Sequence, residues 1–237
     1  MKQLLIVGNW KANKTQLQTK QWFEEFSNYI KTEGLNKENK ELIICPSFTN
    51  LETAKESAEE FGLPIKIGSQ DVSKFRGGAQ TGEVTAEMLN GIVEYSIVGH
   101  SERRKYFNET NEDVMEKIIL LLEFKIKPIL CISDLSQLNF YVSKEPRIKK
   151  MAKDIVFVYE PPDSISGGKD YKPVSTENVI SNIVEMKTTI GKNAKVLYGA
   201  SINSENVASL FSKPEIDGGL SGQASLDPLH FLKLINI

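Results

Sequence analysis

Three positions carry side chains suited to moving a proton beside an anion: Lys11, His100 and Glu160. A carboxylate can act as a general base, and an imidazole can hold or donate a proton near neutral pH. A lysine supplies a fixed positive charge where an anionic substrate binds. Each also has an ordinary explanation, since loop lysines, capping histidines and acids at strand ends are common. Residue type alone therefore leaves their roles open.

Each of the three lies just beyond a short apolar run. A carboxylate that follows five apolar residues, as Glu160 does, is costly to bury without a partner or a task, and partial desolvation makes it a stronger base. His100 opens a polar, helix-compatible turn, where the positive end of a helix dipole disfavours imidazolium. A neutral ring still donates one hydrogen bond. The environment thus favours a base and a neutral donor.

The elements that position these residues alternate along the whole chain between apolar β-type runs and stretches of helical period. The predicted strands are Leu4–Gly8, Glu41–Cys45, Ile65–Gly68, Tyr95–Gly99, Pro128–Cys131, Ile155–Tyr159, Lys195–Tyr198 and Ile216–Gly219. The predicted helices are Thr15–Thr32, Asn50–Phe61, Asn111–Phe124, Ser175–Ile190, Ser204–Phe211 and Pro228–Asn236. Each unit has about 30 residues, the length of a strand with its crossover helix. Continuous aliphatic strands indicate a parallel sheet covered by helices.

Two architectures fit this pattern, an open doubly wound sheet and a closed barrel. The open sheet usually has a G-x-G-x-x-G turn after its first strand, whereas residues 8–11 here read Gly-Asn-Trp-Lys. We therefore predict an α/β fold with a closed, parallel eight-stranded sheet, a (β/α)8 or TIM barrel, as one domain over residues 1–237. Chemistry in such a barrel lies at the C-terminal ends of the strands. Those ends carry Asn9, Lys11, Gln70, His100, Cys131, Glu160, Ser201 and Gly222.

Composition excludes several classes of protein. The chain has 237 residues, with 29 Lys and Arg against 31 Asp and Glu, and this net charge of −2 argues against a general nucleic-acid binder. Cys45 and Cys131 are too few for a disulfide framework and lie in apolar runs. The aliphatic runs are too short for a signal peptide or a membrane span. We expect a cytoplasmic protein without nucleic-acid or membrane partners.

Glycine-rich segments follow the last two predicted strands, at residues 199–201 and 218–225. In barrels this is the usual phosphate site, where backbone N–H groups meet the N-terminus of a short extra helix. Residues 161–169 combine two prolines with two glycines, as a mobile lid does, although most such loops are only turns. The pattern favours a phosphorylated ligand.

Taken together, these segments resemble the triosephosphate isomerase family in order along nearly the whole chain. The matching segments are Asn9-Trp10-Lys11, Gly99 to Arg104, Tyr159-Glu160-Pro161, Tyr198 to Ser201 and Asp217 to Leu226. The resemblance implies interconversion of dihydroxyacetone phosphate and glyceraldehyde 3-phosphate through an enediol(ate), without metal or cofactor. That family is itself a standard worked case of acid–base tuning.

The resemblance also implies roles for particular residues. Glu160 is the base that moves a proton between the two carbons, and His100, as a neutral imidazole, polarises the carbonyl and shuttles protons between the oxygens. Lys11 and Asn9 stabilise the negative charge, and Glu102 holds Lys11. Backbone N–H groups near the phosphate-site residues Ser166, Ser201, Gly222 and Gln223 bind the phosphate. The loop from Asp71 to Val84 is similar to the family's dimer loop, whose tip, here Thr81, reaches the partner's active site, so a homodimer is expected.

The chain departs from the family pattern in several places. Residues 162–163 are Pro-Asp where Val-Trp is usual, so the lid lacks an aromatic anchor and starts stiffer. Ser166-Gly167 replaces Gly-Thr, and Ala200 and Gln223 replace glycines, although each position keeps a backbone N–H. Residues 131–134 read Cys-Ile-Ser-Asp where Cys-x-Gly-Glu is usual. The segment 135–153 is shorter than the family norm, which leaves the fifth helix undecided.

Other functions remain open at this level. An epimerase on a phosphosugar barrel needs metal-binding clusters of His and Asp, which two histidines cannot supply. An aldolase needs a Schiff-base lysine near the end of the sixth strand, where Glu160 stands. A barrel that binds or scaffolds phosphosugars with weak activity is the remaining alternative, and only the altered lid supports it.

Overall fold

The described residues, 2–161 and 175–237 of a computed structural model, contain eight parallel strands that pair in sequence order and close into a barrel. The strands are β1 (Leu4–Asn9), β2 (Lys40–Cys45), β3 (Ile65–Ser69), β4 (Tyr95–Val98), β5 (Lys127–Ile132), β6 (Val156–Tyr159), β7 (Lys195–Tyr198) and β8 (Gly218–Ser221). Closure comes from pairing of β1 with β8, in which Leu5 lies opposite Gly218 and Gly8 opposite Ser221. The predicted (β/α)8 barrel is confirmed.

Helices connect successive strands and surround the barrel. They are α1 (Gln16–Glu33), α2 (Leu51–Glu60), α3 (Ala86–Leu89), α4 (Ser101–Phe107), α5 (Asn111–Glu123), α6 (Leu135–Lys144), α7 (Arg147–Lys150), α8 (Thr176–Ile190), α9 (Val207–Phe211) and α10 (Pro228–Ile235). Side-chain oxygens of Thr15, Thr110 and Asp134 cap α1, α5 and α6 by accepting bonds from free backbone N–H groups. Within the described ranges, no helix has the length and hydropathy to cross a membrane.

The strands are apolar throughout because both of their faces are buried. Alternate side chains fill the inside of the barrel, among them Val7, Ile43, Cys45, Ile97 and Cys131. The intervening side chains belong to a larger cluster packed against the helices. This is the physical reason for the continuous aliphatic runs. Both cysteines are free, and burial raises the pKa of each thiol, so both stay protonated.

Trp10, just after β1, fastens the loop that carries Lys11. Its side chain is fully buried, and its indole Nε1–H donates to the carbonyl oxygen of Ser225 at 3.0 Å. The ring of Trp10 meets that of Trp22 on α1 edge-on, with centroids 5.1 Å apart. Ser225 ends the 3₁₀ turn Gln223–Ser225 after β8, so this contact ties the first and last loops of the barrel together.

Two sequence predictions need correction or completion. The last strand begins two residues later than predicted, at Gly218, because Ile216 supplied the apolar signal while the paired residues are glycines with low strand propensity. A Cβ on Gly218 would lie 1.9 Å from the carbonyl oxygen of Leu5, so only glycine lets β8 approach β1 this closely. The undecided segment 135–153 contains α6 and α7.

Candidate active site

Residues from three strand ends meet at the C-terminal rim of the barrel. Asn9 is the last residue of β1, His100 follows β4, and Glu160 follows β6. All three are buried, with exposed fractions of 4 %, 6 % and 2 %. Polar side chains at this depth require partners, and the partners found at this rim hold each of them in one orientation.

His100 is the N-cap of α4, and its surroundings select one tautomer. Its Nδ1 accepts a hydrogen bond from the backbone N–H of Glu102 at 3.2 Å. A ring nitrogen that accepts carries no proton, so the proton of the neutral imidazole resides on Nε2. Nε2 lies 3.2 Å from Oε1 of Glu160. The imidazole therefore presents an N–H donor to the centre of the rim.

The Glu160 carboxylate lies between two donors of the β4–α4 turn. Its Oε2 accepts from the backbone N–H of Ser101 at 3.0 Å, while Oε1 faces His100. Gly199 makes room for this side chain, because a Cβ there would lie 2.3 Å from Val158 Cγ1 and 3.0 Å from Glu160 Cγ. Sequence reasoning singled out Glu160 and missed the Ser101 amide, which no residue type can reveal.

Lys11 has a left-handed backbone, with φ of +52°, although it is not a glycine. This conformation costs roughly 1–3 kcal/mol in a non-glycine residue, so neighbouring contacts must hold it. The Lys11 N–H donates to Asn9 Oδ1 at 3.1 Å, and the Gln70 side-chain amide donates to the Lys11 carbonyl oxygen at 2.9 Å. Gln70 also donates to the carbonyl oxygen of Cys45, which fixes its own position.

The Lys11 ammonium extends toward α4. Its Nζ lies 2.6 Å from Oε1 of Glu102, in a pair whose side chains are 29 % and 34 % exposed. Glu102 therefore contacts the site twice, through its carboxylate to Lys11 and through its backbone N–H to His100. Glu102, at the start of α4, thus sets the position of the Lys11 ammonium relative to the His100 imidazole.

A cavity of about 540 Å³ lies on the β7–β8 side of the rim. Three of the four predicted phosphate-site residues line it: Ser201, Gly222 and Gln223. A Cβ on Gly222 would lie 3.4 Å from Lys11 Cε, so this backbone and the lysine are neighbours. Ser166, the fourth, and the Pro162-Asp163 departure lie outside the described residues.

Thr81 is exposed in the loop between β3 and α3, and no described contact brings it to the other predicted site residues. A charge network that was not predicted from the residue pattern lies at the base of this loop. Asp71 pairs with Lys117 at 2.6 Å and with Arg103 at 2.9 Å, and both cations also contact Glu109. Burial raises the pKa of Asp71 despite these two cations. The network joins the loop to α4.

The described side chains include no group of three or more His, Cys, Asp or Glu residues arranged to hold a metal ion. What the rim does contain is a buried carboxylate, an oriented imidazole N–H and an ammonium near Gly222, which lines a cavity together with Ser201 and Gln223. Such a set can abstract a proton and stabilise the oxyanion that forms.

Comparison with known proteins identifies the family of this chain. The family model for triosephosphate isomerase matches residues 4–237. A triosephosphate isomerase of Solibacter usitatus is 36 % identical over 256 residues, and one of Alkaliphilus metalliredigens is 35 % identical over 254, each match covering 100 % of both chains. One of Thermus thermophilus is 35 % identical over 255 residues, covering 100 % of this chain and 99 % of its own. The chain therefore belongs to the triosephosphate isomerase family.

Proposed function

We propose that Glu160 is the base of the isomerisation of dihydroxyacetone phosphate and glyceraldehyde 3-phosphate, the reaction of this family. One observation carries the assignment: the buried Glu160 carboxylate and the Nε2 of His100 face each other at 3.2 Å. The carboxylate takes a proton from the substrate carbon next to the carbonyl and returns it to the neighbouring carbon. The position of the carboxylate supports this role, because it lies at the strand-end rim beside the donor that polarises the carbonyl.

His100 supplies the electrophile. Its Nε2–H, directed at Glu160 when no substrate is bound, is the donor for the carbonyl oxygen that becomes the enediolate oxygen. His100 passes this proton to that oxygen and takes the hydroxyl proton from the neighbouring oxygen in exchange, so the ring ends the reaction as it began. The substrate carbonyl then replaces Glu160 as the acceptor, which leaves the carboxylate available to act as the base. The Nδ1 contact with the Glu102 amide supports a ring whose exchangeable proton is on Nε2, because protonating Nδ1 would break that bond.

Lys11 and the β7–β8 cavity bind the anionic parts of the substrate. The ammonium of Lys11 balances charge that develops on the enediolate, and Asn9 orients the Lys11 backbone. We assign the phosphate to the backbone N–H groups of Ser201, Gly222 and Gln223, since these three residues line the β7–β8 cavity. Ser166 completes this grip in the proposal, by the resemblance alone.

Isomerisation of glyceraldehyde 3-phosphate, measured in a coupled assay, tests the base. We expect Glu160→Gln to lower kcat by about 10²- to 10⁴-fold, the usual contribution of a general base. Glu177→Gln, at an exposed position in the first turn of α8, is the matched control and keeps the full rate. A Glu160→Gln enzyme as fast as the control would remove Glu160 from the mechanism.

We also propose that the chain forms a homodimer through the loop that carries Thr81. Large apolar side chains are exposed in this loop and on the two helices that follow it: Phe75 at 37 %, Met88 on α3 at 61 % and Phe107 at the end of α4 at 66 %. Arg103 connects Phe107 to the start of the loop, since it pairs with Asp71 and lies 4.9 Å from the Phe107 ring centroid. Exposed large apolar side chains of this kind support a protein interface.

Sedimentation equilibrium tests the dimer, with an expected mass of about twice 26.6 kDa at micromolar concentration. Phe107→Asp is expected to shift the chain toward the monomer. Leu17→Asp is the control, because Leu17 on α1 is just as exposed, at 68 %, but lies on another element. A wild-type monomer would contradict the proposal.

We also propose that the protein acts in the cytoplasm. Its two cysteines are free and buried, which is compatible with a reducing compartment.

A further inference from the structure

We propose that Arg104 is a positioning residue for the reaction, which sets the orientation of His100 and Glu160 without touching the substrate. This inference rests on the roles proposed above for those two residues. Arg104 lies on α4, one turn beyond the N-cap His100, and its partly buried guanidinium points back beneath the turn. Its contacts join α4 to the end of β4 and to two further helices.

The first contact fixes the peptide that precedes His100. Arg104 Nε donates to the carbonyl oxygen of Gly99 at 2.8 Å, just beyond Val98, the last paired residue of β4. Gly99 has a φ of +70°, and a Cβ there would lie 2.8 Å from Arg104 Nη2. The missing side chain at Gly99 is therefore what lets the guanidinium approach the turn.

The other contacts fix the guanidinium itself. Arg104 Nη1 donates to Asn111 Oδ1 at 2.7 Å, and Nη2 donates to the Tyr141 hydroxyl at 2.6 Å. The Tyr141 hydroxyl donates in turn to Asn111 Oδ1 at 3.1 Å, which closes a ring of three side chains. Burial raises the pKa of Tyr141 to about 12, so this phenol keeps its proton in the working pH range. Asn111 begins α5, and the fully buried Tyr141 lies on α6.

The consequence for the site follows from the amides at the start of α4. The Ser101 N–H holds Glu160, and the Glu102 N–H holds Nδ1 of His100. Both amides move with the turn that Arg104 fastens to Gly99. A shift of this turn changes the tautomer-selecting bond and the carboxylate position together, and misplacement by about 1 Å can cost on the order of 100-fold in rate. A residue that acts in this way affects turnover more than substrate binding.

The test compares Arg104→Gln with Arg147→Gln, which removes an exposed arginine also paired to another side chain. We expect Arg104→Gln to lower kcat by about 10- to 100-fold with KM within about 3-fold of wild type, and the control to change neither. Arg104→Lys keeps the charge but not the several N–H donors of the guanidinium, so we expect its kcat to lie between those of the two Gln variants. Nitrogen-15 NMR of the histidine ring gives a readout that does not depend on turnover: wild type shows Nε2 protonated and Nδ1 unprotonated, and Arg104→Gln loses this single-tautomer pattern.

Tyr141→Phe keeps the inference testable if Arg104→Gln does not fold, because it deletes one hydroxyl and keeps the buried ring. Loss of one hydrogen bond is expected to lower kcat by about 2- to 10-fold, with the same change in the histidine spectrum. Wild-type kcat and a wild-type histidine spectrum in a folded Arg104→Gln, or in Tyr141→Phe alone, would overturn the proposal. A full rate in Glu160→Gln would instead refute the proposed base and leave the NMR test of Arg104 valid.

Discussion

Replacing Glu102 by Gln removes the charge that pairs with Lys11 and changes little else. With Glu102 present, the Lys11 ammonium lies 2.6 Å from Glu102 Oε1. A Gln side chain keeps the same shape and still offers the ammonium one neutral acceptor. The backbone N–H of residue 102 stays in place and still donates to His100. The substitution therefore acts chiefly on the electrostatic contact between Lys11 and α4, since the other Glu102 oxygen lies farther off, 3.8 Å from His100 Nδ1.

The size of the effect follows from the kind of hydrogen bond that is lost. A bond to a charged group contributes roughly 1.5–3 kcal/mol and a neutral one roughly 0.5–1.5 kcal/mol, a difference of about 1–1.5 kcal/mol. The two side chains are 29 % and 34 % exposed, so solvent screening places the effect at the lower end. About 1 kcal/mol corresponds to a roughly five-fold lower kcat/KM.

The coupled isomerase assay measures this, with Glu112→Gln as the matched control. Glu112 is the second residue of α5, as Glu102 is of α4, and it is exposed, so both variants lose the same favourable charge at a helix N-terminus. Only Glu102→Gln is expected to lose activity. In a double-mutant cycle, Lys11→Met should make the Glu102 substitution nearly silent. Equal losses in the two Gln variants, or additive losses in the cycle, would refute the reasoning.

Two further predictions concern stability. Gly218→Ala should lower the free energy of unfolding in urea by more than about 3 kcal/mol, because its Cβ would collide with β1 at 1.9 Å. Gly191→Ala is the control: Gly191 has a φ of +118° and nothing within 4 Å of an added Cβ, so this variant should lose only the free energy of the backbone strain. Equal losses of stability in the two variants would contradict the prediction. Burial raises the pKa of Glu41, but hydrogen bonds from Lys66 and Tyr95, together with the charges of Lys66 and Lys127, outweigh that effect and lower it. Ionised Glu41 therefore stabilises the fold above its ordinary pKa, and this contribution is lost as the pH falls through the lowered value. Glu41→Gln should flatten the acid side of the stability–pH curve, and an unchanged slope would count against it.

The sequence alone determined the alternation of strands and helices, and with it the barrel. Strands buried on both faces require nearly continuous aliphatic residues, so seven of the predicted runs coincide with β1 to β7 to within one or two residues. The eighth was misplaced because Gly218 and Gly219 carry no apolar signal. The three chemical side chains could be placed at one rim because parallel strands end on the same side of a barrel.

How those side chains are held depends on contacts between elements that are far apart in the chain. The partners of Glu160 and His100 are backbone amides of residues 101 and 102, and every residue has such an amide, so no residue type marks them. Arg104 meets Tyr141 across 37 positions of the chain, through helices whose packing fixes the distance. Hydrophobic periodicity reports which face of an element is buried, whereas the tautomer of a histidine depends on hydrogen bonds that form only when distant elements pack together.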